Sequence, residues 1–173
     1  LRRAAVLGLG LTRRSEAVPL LLVALRSPDP ATRLVATSAL GSFASPEVTA
    51  ALADAARDDD ETVRQTAIAL LAESPGEDAT LALVSLLAQS PDVARVRMAL
   101  SAASPGRVAG IAQALETADD DDAAVLVSSL ARMRTLDADE ALASALTAGS
   151  VVARRAAAVA LGSSPRPGSL AAL

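Results

Sequence analysis

The sequence predicts an all-α fold, a right-handed α–α superhelix built as a solenoid of about six helix–turn–helix units of ~31 residues. Three observations predict it. One short pattern recurs at a fixed interval, so that Arg2, Arg33, Arg64 and Arg95 stand 31 residues apart. The apolar residues around it repeat at i, i+3, i+4 and i+7, the spacing of one helix face, while Val and Ile are scattered rather than alternating as in a strand. Pro, Gly, Ser and Asp cluster at the seams between the apolar segments, where helices start and stop. At 173 residues one globular domain is the default, but in a repeat array length counts units. The units run approximately 1–28, 29–59, 60–90, 91–118, 119–149 and 150–173, a single array.

The first helix of each unit, helix A, is carried by residues 1–10, 32–41 and 63–72, with later copies starting at Ala94, near Asp122 and at Ala153. Its second position is Arg in five of six copies (Arg2, Arg33, Arg64, Arg95, Arg154). Its fifth is Ala5, Ala36, Ala67, Met98, Ser128 or Ala157, and the alanines there are expected to let helices approach closely. Its ninth is leucine (Leu9, Leu40, Leu71, Leu130, Leu161), expected to fill the space between layers. Asp29-Pro30 places a capping carboxylate before a proline at the first helical position, and Asp60 and, more roughly, Asp92 stand in the same phase. Gly10, Gly41 and Gly162 sit where a left-handed residue is expected to end helix A.

A second amphipathic segment, helix B, follows each A. It spans Glu16–Arg26, Glu47–Arg57, Asp78–Ala88, Arg107–Thr117 and Ala138–Thr147, and a last one starts near Gly168. The breaks before it include Ser45-Pro46-Glu47, Ser74-Pro75-Gly76 and Ser104-Pro105-Gly106. Phe43, Met98 and Met133 are expected to pack in the core or under turns.

The run from Val18 through Asp29-Pro30, Arg33 and Ala39-Leu40-Gly41 resembles the HEAT-like repeat first named for phycobilisome lyase subunits. In that repeat Asp-Pro-x-Val-Arg-x-x-Ala-x-x-Ala-Leu-Gly is followed by Glu-Ala-Val-Pro-x-Leu. Glu16-Ala17-Val18-Pro19 matches the second part, and Asp60, Val63, Arg64 and Ala67 match the first. The likeness covers the whole chain and weakens in units four and five, where Ala123 stands for the arginine. The resemblance implies an armadillo-type α solenoid. It implies no single function, since scaffolds, adaptors and lyases share the repeat.

Composition excludes whole classes of chemistry. The chain contains no Cys, His, Trp, Tyr or Lys, its one aromatic residue is Phe43, and its 16 cations are all Arg. Without imidazole or thiol there is no Ser–His–Asp or Cys–His relay and no zinc, haem or iron–sulfur ligation. Without Lys there is no Walker-type phosphate loop. A net charge of −4 and one aromatic ring argue against nucleic acid, which calls for a basic surface or stacking platforms. The longest uncharged stretches, Leu34–Pro46, Ala79–Pro91 and Ala141–Ala153, fall well short of the ~17–20 residues of a membrane span. The absence of Cys favours a cytoplasmic setting, and the Lys-free, Ala- and Arg-rich usage suggests a GC-rich bacterial genome. Leu1, Leu170 and Leu173 are expected on uncapped end faces, as in a segment of a longer array.

Two residue sets stand out. Asp29, Arg33, Asp60, Arg64, Arg95 and Arg154 are expected to form a structural ladder, within a helix at i, i+4 and from each Arg to the next unit's Asp. Thr49, Asp54, Thr80, Ser85 and Gln113 are expected on the concave helix-B face, open to a protein or peptide partner. The runs Asp58–Glu61 and Asp119–Asp122 read as turn caps, with a metal or a basic partner as the alternative. Arg13-Arg14, Arg107, Arg132, Arg134 and Arg166 are expected on the A-to-B rim, mixed with Glu16, Glu73, Glu77 and Asp137. These features suggest a non-catalytic scaffold or adaptor without cofactor. The alternative, a bilin lyase/isomerase-like subunit or its accessory, rests on the resemblance alone.

Overall fold

The computed structural model describes residues 3–163, and among them every regular element is helical. Six A helices come from Arg3–Thr12 (α1), Pro30–Leu40 (α3), Glu61–Glu73 (α5), Val93–Ser101 (α7), Asp120–Met133 (α9) and Val151–Gly162 (α11). Five B helices alternate with them: Val18–Ala24 (α2), Pro46–Ala55 (α4), Glu77–Ser85 (α6), Arg107–Leu115 (α8) and Leu136–Ala148 (α10). Successive A helices pack on one another from α1 to α11, and α4, α6, α8 and α10 form a second layer beside them. Contacts run between neighbouring units, as in a solenoid that adds one layer per repeat. Arg2, Leu1, Arg166, Leu170, Leu173 and the helix expected near Gly168 lie outside the described residues.

Helix starts follow the sequence closely. The Asp29 carboxylate accepts the backbone N–H groups of Ala31 and Thr32, both at 3.2 Å, and Pro30 opens α3. Asp60 does the same for Thr62 and Val63 at the start of α5. Ser45, Asp119, Thr135 and Ser150 cap α4, α9, α10 and α11. Asp92 departs from the pattern: its side chain caps nothing and turns to a neighbouring layer instead. The segment expected as one helix from Glu16 begins with a 3-10 turn at Ser15–Ala17, and α2 starts only at Val18, beside Pro19.

Helix ends correct the reading of the glycines. Gly41 has a right-handed φ of −59°, and Gly10 and Gly162 lie within their helices. The left-handed conformation falls instead on Arg13 and Arg134, after α1 and α9, and on Gly76 and Gly106, before α6 and α8. Gly10 is retained for space. A Cβ there would lie 2.6 Å from the Cβ of Ala39, so α1 and α3 meet where only hydrogen fits.

The core follows the repeat. Ala36, Ala67 and Ala157 are fully buried, as are Leu40 and Leu71, with Leu130 and Leu161 in the same phase. Each such leucine contributes roughly 1.5–3 kcal/mol by leaving water. Two residues differ from expectation. Ala5 is exposed and Val6 takes the buried place in α1, while Met98 is 70 % exposed on α7. Phe43 and Met133 pack half-buried against the core.

The third and fourth units are joined through their turns. The Gly76 N–H donates to the Pro105 carbonyl at 2.8 Å, and the Ser104 hydroxyl donates to the Ser74 carbonyl at 3.1 Å. Two Ser-Pro-Gly turns therefore stack one on the other.

Candidate interaction surface

The ladder exists, with different rungs. Arg33 Nε and Nη2 both bond the carboxylate of Asp58 at 2.7 Å, a bidentate pair across two units. Its Nη1 donates to the Ser27 and Pro28 carbonyls of its own turn. Arg64 repeats this one layer on, with Nε on Asp92 at 2.8 Å and Nη1 on the Asp58 and Asp59 carbonyls at 3.0 Å. Each Arg thus ties its own B-to-A turn to the next one. The hydrogen bond to Arg33 holds the Asp58 carboxyl below its usual range, and the same bond raises Arg33, burial opposing both.

Three details of the expected ladder are corrected. The carboxylate that receives Arg33 is Asp58, two residues before the expected Asp60, because Asp60 is occupied in capping α5. Arg95 donates to the Gln65 side chain, and Arg154 to the Gly149 carbonyl of its own turn. Arg95 itself keeps the 31-residue phase, but a shorter fourth unit shifts the acidic turn that follows it.

Five residues were expected on the helix-B face. Asp54, Ser85 and Gln113 are exposed there, and Thr49 is half-buried at the start of α4. Ser85 accepts a hydrogen bond from Arg57 at 3.0 Å. Thr80 is the exception. It is fully buried between α6 and α8, its Cβ only 2.6 Å from where a Cβ on Gly110 would lie. Its hydroxyl accepts from Arg107 Nη1 at 3.3 Å. The polar character of Thr80 suggested the surface, but its position follows the buried stripe of Ala79 and Leu83.

Arg107 was expected on the rim and is 1 % exposed. Its Nη2 donates to the Leu71 and Ala72 carbonyls, at 3.2 and 2.7 Å, near the C-terminal end of α5. That end carries partial negative charge, which lets carbonyl dipoles stand where a carboxylate would. Burial pushes the guanidinium below its ordinary value, and Nε has no hydrogen-bond partner among the described residues. Its place at the first turn of α8, beside Gly106 and Gly110, is the only sequence signal that pointed inward.

The B layer is grooved between helices. Between α2 and α4 lies a groove of about 350 Å³, lined by Leu22, Leu25, Ala51 and Asp54 among others. Between α8 and α10 a smaller one of about 140 Å³ is lined by Ala112, Leu115 and Ala141. Leu20 and Val23 on α2 are 46 % and 61 % exposed.

The pattern of buried Ala and Leu at a 31-residue period, with an Arg tying each turn to the next, has a counterpart among known families. The HEAT-repeat family matches residues 1–72, from α1 to within the last turn of α5. Residues 1–72 are HEAT repeats. Three solved structures are similar to this helical array. An archaeal HEAT-like repeats protein from Thermococcus onnurineus NA1 is 21% identical, with 92% of this chain and 77% of that one covered at a TM-score of 0.48. Human deoxyhypusine hydroxylase in complex with glycerol is 23% identical, with coverage of 98% and 70% and a TM-score of 0.41. An engineered protein is 20% identical, covering 98% and 56%, also at 0.41. No curated protein matches.

Along the edges of the helical array charges are mixed. Arg13, Arg14, Arg132 and Arg134 are exposed on the A-to-B rim, as are Glu16, Glu73, Glu77 and Asp137. Of the acidic runs, Asp58 and Asp60 serve the ladder and a cap, and Asp119 caps α9. Asp122 lines a groove of about 740 Å³ between α7 and α9 with Arg97 and Arg132. Burial, then repulsion from Asp119 and Asp121, raises its carboxyl. Among the described residues no three carboxylates converge as metal ligands.

Proposed function

We propose that this HEAT array is a non-catalytic interaction scaffold whose helix-B face binds a protein segment. The observation that carries the reading is the contrast between the two layers. The turn-side arginines Arg33 and Arg64 are bonded internally, tying unit to unit. On the B layer Asp54 and Gln113 point outward beside grooves floored by Ala and Leu, with exposed Leu20 and Val23 alongside. A surface that repeats with each unit and offers apolar grooves edged by polar groups suits an extended ligand.

A random peptide library displayed against the immobilised chain tests this. Peptides should be enriched that no longer bind after Ala50→Gln or Ala109→Gln, both exposed on B helices, yet still bind after Ser38→Gln on α3. Enriched peptides insensitive to both B-layer changes would place the working surface elsewhere.

A further inference from the structure

We infer that the partner of the B-layer face is a basic amphipathic helix lying across the B helices, with its apolar side on the grooves. This rests on the scaffold reading above and adds the chemistry of the ligand.

A row of carboxylates runs along the B layer. Glu16, Glu47 and Asp78 recur at the 31-residue period, at or just before the first turn of each B helix, and Asp137 resumes the row after Ala109. All four are exposed. Placement near a helix N-terminus favours a negative charge, but leaves the outward side of each carboxylate unmatched. Glu16 has Arg14 at 3.5 Å, whereas Glu47, Asp78 and Asp137 make no ion pair among the described residues. Further along the same face a second row bears Asp54 and Glu116, also exposed and without an ion pair there.

Counter-charges on this face are few: Arg26 lines the α2–α4 groove with Glu47 and Asp54, and Arg13, Arg14, Arg132 and Arg134 stand on the A-to-B rim. Arg95, Arg97, Arg154 and Arg155 are exposed on A helices. On the B side Arg107 is buried, and Arg26 and Arg57 stand just beyond the C-terminal ends of α2 and α4. Arg57 is already bonded to the Ala53 carbonyl and Ser85. A ligand reaching the Glu47–Asp78 side therefore meets negative charge over an apolar floor, and a cationic flank complements it.

Spacing selects a helix. Packed helices lie about 8–10 Å apart, so carboxylates one unit apart present a charge at about that interval. Seven residues of helix advance about 10.5 Å and return to one face. Three residues of extended chain advance about 10 Å but point to opposite faces. A Lys or Arg at one heptad position thus meets Glu47 on α4 and Asp78 on α6, passes Ala109 on α8, and meets Asp137 on α10.

The test uses the full chain and three synthetic 21-residue helical peptides, with Leu at the a and d positions and Lys, Gln or Glu at the flanking g position. Titration calorimetry is run at low and physiological salt. The Lys peptide should bind most tightly and weaken with salt, and the Glu peptide should not bind. E47Q and D78N should each weaken the Lys peptide roughly two- to fivefold. D59N and D121N remove equal charge from exposed residues off this face and should do less. Equal losses from both pairs of variants would reduce the effect to net charge and overturn the inference. Binding of the Gln peptide as tightly as the Lys peptide, lost on Ala50→Gln, would overturn it while the scaffold reading stands. If no probe binds, the inference fails, and peptide display decides separately whether the scaffold fails with it.

Discussion

Adding one methyl group to the chain at two glycines should move stability in opposite directions. Gly8 and Gly110 both lie inside helices, α1 and α8. A Cβ at Gly8 meets nothing within 4 Å, whereas one at Gly110 lies 2.6 Å from the Thr80 Cβ and 3.0 Å from its Cγ2 and Oγ1. Gly8→Ala should stabilise by about 0.5–1 kcal/mol through backbone entropy alone. Gly110→Ala gains the same, but carbon atoms pack best near 3.5–4.0 Å, so α8 must retreat from α6 by about 1 Å. Overpacking of this kind costs about 1–3 kcal/mol. Displacing Thr80 also weakens its bond to Arg107, about 1 kcal/mol more. The net expectation is a loss of about 1–3 kcal/mol. Urea unfolding followed by circular dichroism reads both, with slopes unchanged. A Gly110→Ala midpoint at or above that of the parent chain would refute the close approach of α6 and α8.

Further expectations follow from the same structure. Leu71→Ala, at a fully buried site, should cost about 2–5 kcal/mol in urea unfolding, and Ser38→Ala, exposed on α3, less than about 0.5 kcal/mol. Arg107→Ala should cost about 2–4 kcal/mol, since it empties a buried site and strips the Leu71 and Ala72 carbonyls of a donor; amide exchange should quicken first at the C-terminal end of α5. Asp58 and Asp122 should respond oppositely to pH. The lowered Asp58 carboxyl contributes stability above the unfolded value near ~4, lost as pH falls through its folded value. Asp58→Asn should therefore destabilise at pH 7 by about 1–3 kcal/mol, since the pair is largely buried and bidentate, and have no effect at strongly acid pH. The raised Asp122 carboxyl favours the folded state only at low pH, an advantage lost as pH rises through its folded value. Asp122→Asn should therefore slightly raise the pH 7 melting temperature and leave that at pH 3 unchanged.

Much of the fold was legible because the repeat states it several times over. The Asp29 and Asp60 caps, the buried Ala36 and Ala67, and the Leu40 and Leu71 positions could be read from spacing alone, since each depends only on local helix geometry. What could not be read depends on how layers pack against one another. Arg33 meets Asp58 because Asp60 caps α5, and packing between layers buries Thr80 and Arg107. Residue type misled in the same places. A threonine and an arginine suggest surface, and only the glycine at 110 marks how near α6 lies to α8. Gly41 misled differently, as a helix end in right-handed conformation.

NMR locates the working surface. Backbone amide shifts of the labelled chain are followed while a peptide selected by display is added. The account predicts that perturbations map to outward positions of the B helices, among them Ala50, Asp54, Asp78 and Gln113. Perturbations confined to the A layer, around Arg95 and Arg154, would contradict it.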